Sequence, residues 1–471
     1  MKIKAKVISR NQDDYVRETK YDLFKAPKNY NAPKDSFQPA VEYSRAMNAT
    51  KLSRVFAKPF MAALDGHNEG VHILTLHPTC LSTLLSGARD GQVKVWNMAT
   101  KKCYTTLQAH NGVVTGVSID NQESGMFVTV GSDAQLKHWK IPDQYGKVIT
   151  EPEHSIALSD VPHGVSHIMN STDFVTCGEG IHVWKVMRHI MNSTDFVTCG
   201  EGIHVWKVMR DSPIRTYNLG VNTIHSVKCN PIESSVMAGC SSDRSIFVLD
   251  NRQKAPLSKV VLALRTNTIA WHPLESYTFT AANDDYNLYT FDMRYLSSAR
   301  NVHFDHIAAV TDVDYSPTGQ EFVSGSFDRA VRIFPVESAR SREVYHAPRM
   351  QNVLSVKWSL DSKYVMCGSE EMNIRIWKAD ASEKLGTLLP REKAAMAYNK
   401  RLRETYQHHP EIRRIERHRQ VPKYMYNAKK EHATIRQSQK RKQENRRKHA
   451  KEGEFEDVAV REKSIIKHGM D

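Results

Sequence analysis

The chain has 471 residues, with 66 Lys and Arg against 52 Asp and Glu, a formal net charge of +14. No apolar run approaches the roughly 20 residues of a membrane span, and the opening MKIKAKVISRNQDD has charge but no apolar core of a secretory leader, so no membrane partner is expected. Seven cysteines include no C-x-x-C pair, which argues against a zinc ribbon or redox motif and for reduced thiols in a cytosolic or nuclear chain.

In chain order, residues 1–53 are read as an N-terminal extension. The first repeating unit follows. Residues 71–76 (VHILTL), 83–87 (TLLSG) and 92–96 (QVKVW) read as strands, with a tight turn at 89–91 (RDG), and 103–107 (CYTTL) supplies a fourth strand. Aligning later units on its last residue gives Trp96, Trp139, Trp184 (or its copy Trp206), Leu249, Phe291, Phe334 and Trp377. These positions are 43 apart from Trp96 to Trp139, then 45 to Trp184; from Trp206 onward they run 43, 42, 43 and 43. A period of 40–45 with a large apolar residue at a fixed place is that of WD-type propeller blades. A repeat of this length cannot bury its own apolar face and must stack on its neighbours. The fold class expected is therefore all-β: a seven-bladed WD-repeat β-propeller over residues 54–390. Residues 54–65 are expected to supply the outer strand of the last blade, closing the ring and covering its edges.

Six residues before each aligned position stands Asp90, Asp133, Asp243, Asp285, Asp328 or Glu371; the third unit has Gly178 or Gly200 instead. A histidine opens several units (His67, His110, His306), and Ser86, Thr129 and Ser324 sit ten before the aligned residue. An Asp/His/Ser set invites a catalytic-triad reading. It recurs in several units, however, whereas an active site is normally built once. The set His67, Ser86, Asp90, Trp96; His110, Thr129, Asp133, Trp139; and His306, Ser324, Asp328 is assigned to blade structure, because buried polar groups need such partners. Residues 167–188 repeat without a difference as 189–210. The surplus is too long for seven blades and too short for eight, so an extra hairpin or loop is expected near the third.

Residues 391–471 are read as a basic, mostly helical tail. They hold 23 Lys and Arg against 12 Asp and Glu, a net +11 that leaves +3 for residues 1–390. Helices are expected at about 390–402, 411–420 and 424–451, opened or bounded by Pro390, Pro410 and Pro422. The cluster Lys440, Arg441, Lys442, Arg446, Arg447 and Lys448 reads as an RNA contact or a nuclear-import address, or as a solvated charged face.

Several stretches are more specific than the propeller. They are 15–20 (YVRETK), 48–60 (NATKLSRVFAKPF), 283–294 (NDDYNLYTFDMR), 338–346 (SARSREVYH), 391–395 (REKAA) and 410–415 (PEIRRI). Together they resemble the Sof-type nucleolar WD-repeat family over nearly the whole chain, except at the duplicated segment. The resemblance implies a non-catalytic scaffold subunit of the small-subunit processome, located in the nucleus and nucleolus. Its expected partners are processome proteins, a box C/D small nucleolar ribonucleoprotein and pre-rRNA, with 18S rRNA maturation as the outcome. Some animal members are similar to substrate receptors of cullin-RING ubiquitin ligases, whose adaptor contact is an aromatic-Asp-x-Arg at a strand end in two neighbouring blades. Asp292 and Arg294 fit that pattern after Phe291, while Asp250 and Arg252 follow Leu249 and lack the aromatic. With no phosphate-binding loop, H-E-x-x-H motif or metal-ligand cluster, no enzyme and no cofactor are expected.

Overall fold

In the computed structural model the described residues are 37–469, apart from 121–124, 142–150, 159–160, 168–172, 178–180, 186–195, 200–202, 207–222, 254 and 452–457. The segment 15–20 and the glycines at 178 and 200 lie outside them. The described chain forms two compact units. One comprises residues 59–379 and 421–471, the other residues up to 58 with 380–420.

The larger unit is a WD40 β-propeller, and the expected count of seven blades is corrected to six. Five sheets carry a four-stranded antiparallel meander in the order of the chain, and a sixth is completed by the first strand of the unit. The first is Val71–Leu76, Thr83–Ala88, Gln92–Asn97 and Lys102–Gln108. In the last, Val353–Trp358, Tyr364–Ser369 and Ile374–Lys378 are joined by Phe60–Leu64, from the start of the unit. Phe60 pairs with Trp377 and Leu64 with Ile374, so the two ends of the repeat share one blade.

The sheet between the second and fourth repeats is built differently. It has five strands, Gly164–His167, Asp173–Cys177, Ile181–Lys185, Phe196–Cys199 and Ile203–Trp206, and it includes a parallel bridge, His182 to His204. The cause is the duplication. Both copies fold into the same hairpin in the same register: Phe174 pairs with Trp184 and Cys177 with Ile181, as Phe196 pairs with Trp206 and Cys199 with Ile203. The second hairpin occupies the outer edge, where a blade would place its fourth strand. Gly164–His167 still stands beside its neighbours' innermost strands; the His167 amide donates to Ser118 Oγ (3.2 Å) and the Cys229 amide to Ser166 Oγ (3.4 Å).

The period read from the sequence marks the core. Trp96, Trp139, Leu249, Phe291, Phe334 and Trp377 are all at most 2% exposed. Alternation puts their neighbours on the opposite face of the strand, which in a stacked blade is also covered. The acidic turn residue is followed in each complete blade by a left-handed residue: Gly91, Ala134, Arg244, Tyr286, Arg329 or Met372. Only Gly91 escapes the steric penalty of that conformation. A Cβ there would also lie 2.0 Å from the His110 carbonyl oxygen, because Gly91 accepts the amides of Ala109 and His110.

The smaller unit packs helix α1 (Gln38–Val55) with α2 (Pro390–Tyr406) and α3 (Pro410–Arg417). Ala46, Leu402 and Ile412 are buried together, flanked by Tyr43, Met47 and Tyr406. Tyr43 donates to Glu411 Oε2 (2.9 Å), and Arg54 donates to the Glu416 carbonyl (2.9 Å). The N-terminal extension and the tail, far apart in sequence, thus share one small core.

Candidate nucleic-acid interface

Helix α4 (Lys423–His449) follows Pro422 and is rich in Lys, Arg and Gln, which form helices readily. At about 1.5 Å per residue its 27 residues reach about 40 Å. Its first half is docked on the propeller. Met425 is buried. The Tyr424 hydroxyl donates to the Asp328 carbonyl (2.8 Å), and Lys429 Nζ donates to Asp305 Oδ1 (2.7 Å). His432 stacks on Tyr286 with centroids 5.5 Å apart, and the Arg436 guanidinium lies 5.2 Å from the Phe304 ring centre. Residues 425, 429, 432 and 436 fall on one helical face.

Asp305 is the polar anchor of this dock. Its burial alone would raise its pKa, but Lys429 and Arg332 beside it, with the Ser341 amide, outweigh that and hold it below the usual carboxylate range. Ser341 donates to Asp305 Oδ2 through both its amide (2.9 Å) and its hydroxyl (2.8 Å).

The second half of α4 presents the cations. Lys440, Arg441, Lys442, Arg446, Arg447 and Lys448 are all exposed. Spaced at 100° per residue, they surround the helix rather than lining one face. The Lys440–Glu444 pair (3.8 Å) is open to water and contributes little. The final turn holds Arg446, Arg447, Lys448 and His449, where cations meet the negative end of the helix dipole.

The Asp/His/Ser sets lie in the blades, each within one repeat. His306 donates through Nδ1 to Asp328 Oδ2 (2.8 Å), and its Nε2 lies 2.7 Å from Ser324 Oγ. His110 Nδ1 stands 2.9 Å from Asp133 Oδ1, its Nε2 is 2.9 Å from Thr129 Oγ1, and Trp139 Nε1 donates to that same hydroxyl (2.9 Å). In the first blade Ser86 links His67 (2.6 Å) and Trp96 (2.7 Å), but Asp90 does not join them. The Asp90 carboxylate accepts the Gln92 amide at Oδ1 (3.0 Å), while its Oδ2 and His67 Nδ1 are buried without a hydrogen-bond partner. Burial, with Lys94 nearby, pushes His67 down to about 4; burial is also the main cause that lowers His110 and His306. Each imidazole is neutral at pH 7, and those of His110 and His306 join strand to turn.

Asp250 and Asp292 end the third strands of adjacent blades, Ser245–Asp250 and Leu288–Asp292. Each accepts the amide two residues on, from Arg252 (2.9 Å) and Arg294 (3.0 Å). Arg294 also forks onto Asp292 through Nε (3.0 Å) and Nη2 (2.7 Å), holding that carboxyl below its ordinary range. Its guanidinium sits 3.9 Å from the Tyr277 ring centre, and the side chain remains 56% exposed. Arg252 is exposed as well.

Residues 379–465 match the Sof1-like domain, and residues 58–97, 101–140, 299–334 and 342–378 match the WD domain, G-beta repeat. The chain is 49% identical to DDB1- and CUL4-associated factor 13 of Xenopus tropicalis, over 98% of this chain and 99% of that one. It is 37% identical to Protein SOF1 of Saccharomyces cerevisiae, over 98% of this chain and 94% of that one. The chain belongs to the Sof1-like family of WD-repeat proteins.

In this Sof1-like chain the matched domain spans α2, α3 and α4 and ends at Ile465. The WD40 propeller domain of Doa1 shares the fold at a TM-score of 0.55 and 17% identity, covering 68% of this chain and 96% of that one. Among the described residues no group of His, Cys, Asp and Glu is placed to hold a metal ion, and no helix is long and apolar enough to cross a membrane. Sequence reasoning expected tail tyrosines, Tyr424 among them, to pack a helix onto the propeller, and it missed a short strand, Ile465–His468, near the chain end. The signal for the latter was the Ile465-Ile466 pair.

Proposed function

We propose that this Sof1-like protein is a non-catalytic scaffold subunit of the small-subunit processome, working in the nucleolus on pre-rRNA processing and 18S rRNA maturation. The observation that carries this reading is similarity to yeast Protein SOF1 along almost the whole chain. On this reading the propeller holds protein partners, among them those of a box C/D ribonucleoprotein. The cations at 440–448 meet pre-rRNA phosphates. If eight tail cations met phosphates, log affinity would fall with log salt at a slope of roughly −6 to −7. Truncation after residue 390 is a poor test, because it strips α2 and α3 from α1. The test is depletion with rescue by a full-length variant carrying glutamine at 440, 441, 442, 446, 447 and 448. Nucleolar localisation is scored beside 18S rRNA, which separates an RNA role from an import address. Full 18S production by that variant would refute the tail's part.

A second reading, substrate receptor of a cullin-RING ligase, is favoured by the animal relatives' name and by the equivalent strand-end placement of Asp250, Arg252, Asp292 and Arg294. The exposed arginines would face the ligase adaptor. Adaptor capture that survives R252A with R294A would count against it.

A further inference from the structure

The tail of this protein is held at its far end as well as at its start. Ile465–His468 runs antiparallel to Ser258–Leu262, the outermost strand of its blade: Val260 opposes His468, Val261 opposes Lys467 and Leu262 opposes Ile465. The ladder continues beyond the strand. The Ala263 amide donates to the Ser464 carbonyl (2.8 Å) and the Gly469 amide to that of Lys259 (3.0 Å). The Ala299 amide, in the next repeat, donates to the Arg461 carbonyl (3.1 Å). Ile465 packs against the cluster that includes Val260, Leu262, Leu296 and Ala299, while Ile466 on the other face is 62% exposed.

Two anchors therefore bracket the cations of α4. The first, residues 424–436, sits on the turns of the two blades after Ser258–Leu262. The second, residues 461–469, completes a sheet edge with main-chain hydrogen bonds. A free polycationic tail has no need of the second anchor. A tail that must offer its charges in a set place gains from it, since a segment restrained beforehand loses less conformational entropy on binding.

We propose that residues 461–469 are a clasp, and that the surface offered to RNA is the basic span of α4 held between two fixed ends. The proposal rests on the reading that this arm meets RNA phosphates. The clasp itself contributes position rather than charge.

The experiment uses the full chain and a fluorescently labelled structured RNA, with affinity measured across a salt series and hydrogen exchange followed in residues 258–263. Ile465→Pro keeps the charge but removes the amide that donates to Glu462 (2.9 Å) and the apolar side chain. It is expected to speed exchange at Ala263 and to weaken RNA binding about three- to tenfold. The slope of log affinity against log salt should not change, because no cation is lost. Ile466→Ser, on the exposed face of the same strand, should do neither. Should the proline variant fold poorly, Ile465→Ser serves instead, since it removes the packed apolar side chain and keeps every cation. Faster exchange with unchanged affinity would overturn the clasp, and so would unchanged exchange. Unchanged affinity and slope in the six-glutamine variant would instead overturn the arm's contact with RNA, a distinguishable failure.

Discussion

Replacing Asp328 with alanine removes a carboxylate whose side chain is fully buried, as is that of its partner His306. The same carboxylate faces the Arg332 guanidinium (3.7 Å), which is 4% exposed. The substitution thus leaves a nearly dry arginine with one fewer anion beside it, Asp305 remaining, and an imidazole N–H without an acceptor. Breaking one side of such a buried pair costs about 3–5 kcal/mol. Asp133 has the same place in its blade but is 13% exposed and answers chiefly to His110. Losing that hydrogen bond costs about 1–3 kcal/mol. The Asp90 carboxylate accepts the Gln92 amide alone among the described residues, so D90A costs about 0.5–1.5 kcal/mol. Denaturant midpoints of the three full-length variants should rank D328A far below D133A, with D90A nearest the parent. The decisive comparison is D90A with D328A. An equal loss in the two would mean that the aspartates act through turn geometry alone, and that buried charge pairing has no part.

Three further outcomes follow from the same geometry. Gly91→Ala puts a Cβ at 2.0 Å from a carbonyl oxygen in a left-handed turn, and is expected to lower stability by more than about 3 kcal/mol, against less than about 1 kcal/mol for Met372→Gly, both read by thermal melting. His303 is pushed down to about 4 by burial, so the unfolded chain takes up its proton first as pH falls below about 6.5. The stability it confers is full above that pH and lost down to about 4, about 2 kcal/mol by pH 5, and His303→Gln should flatten the stability–pH curve in that window. Deleting residues 189–210 removes the second hairpin and leaves the first in its register. Circular dichroism and melting temperature should stay close to the parent's, and loss of folding would show that the second copy is needed.

The sequence by itself determined the propeller, because a 43-residue period and buried aromatic pegs report a local need that every repeat meets in the same way. It also located the duplication, the tail helices and the cation cluster, since each is a contiguous pattern. The number of complete blades was decided only in three dimensions. There, two identical segments competed for one sheet, and the second hairpin took the edge that a fourth strand would fill. Tertiary structure likewise decided which Asp reaches its His: Asp90, Asp133 and Asp328 hold the same place in the pattern, but a hydrogen bond depends on distances that spacing does not encode. The partnership of α1 with α2 and α3, the dock of α4 and the final strand join residues from 96 to 368 positions apart. Such contacts depend on where the propeller brings the chain ends, and no local periodicity reports that.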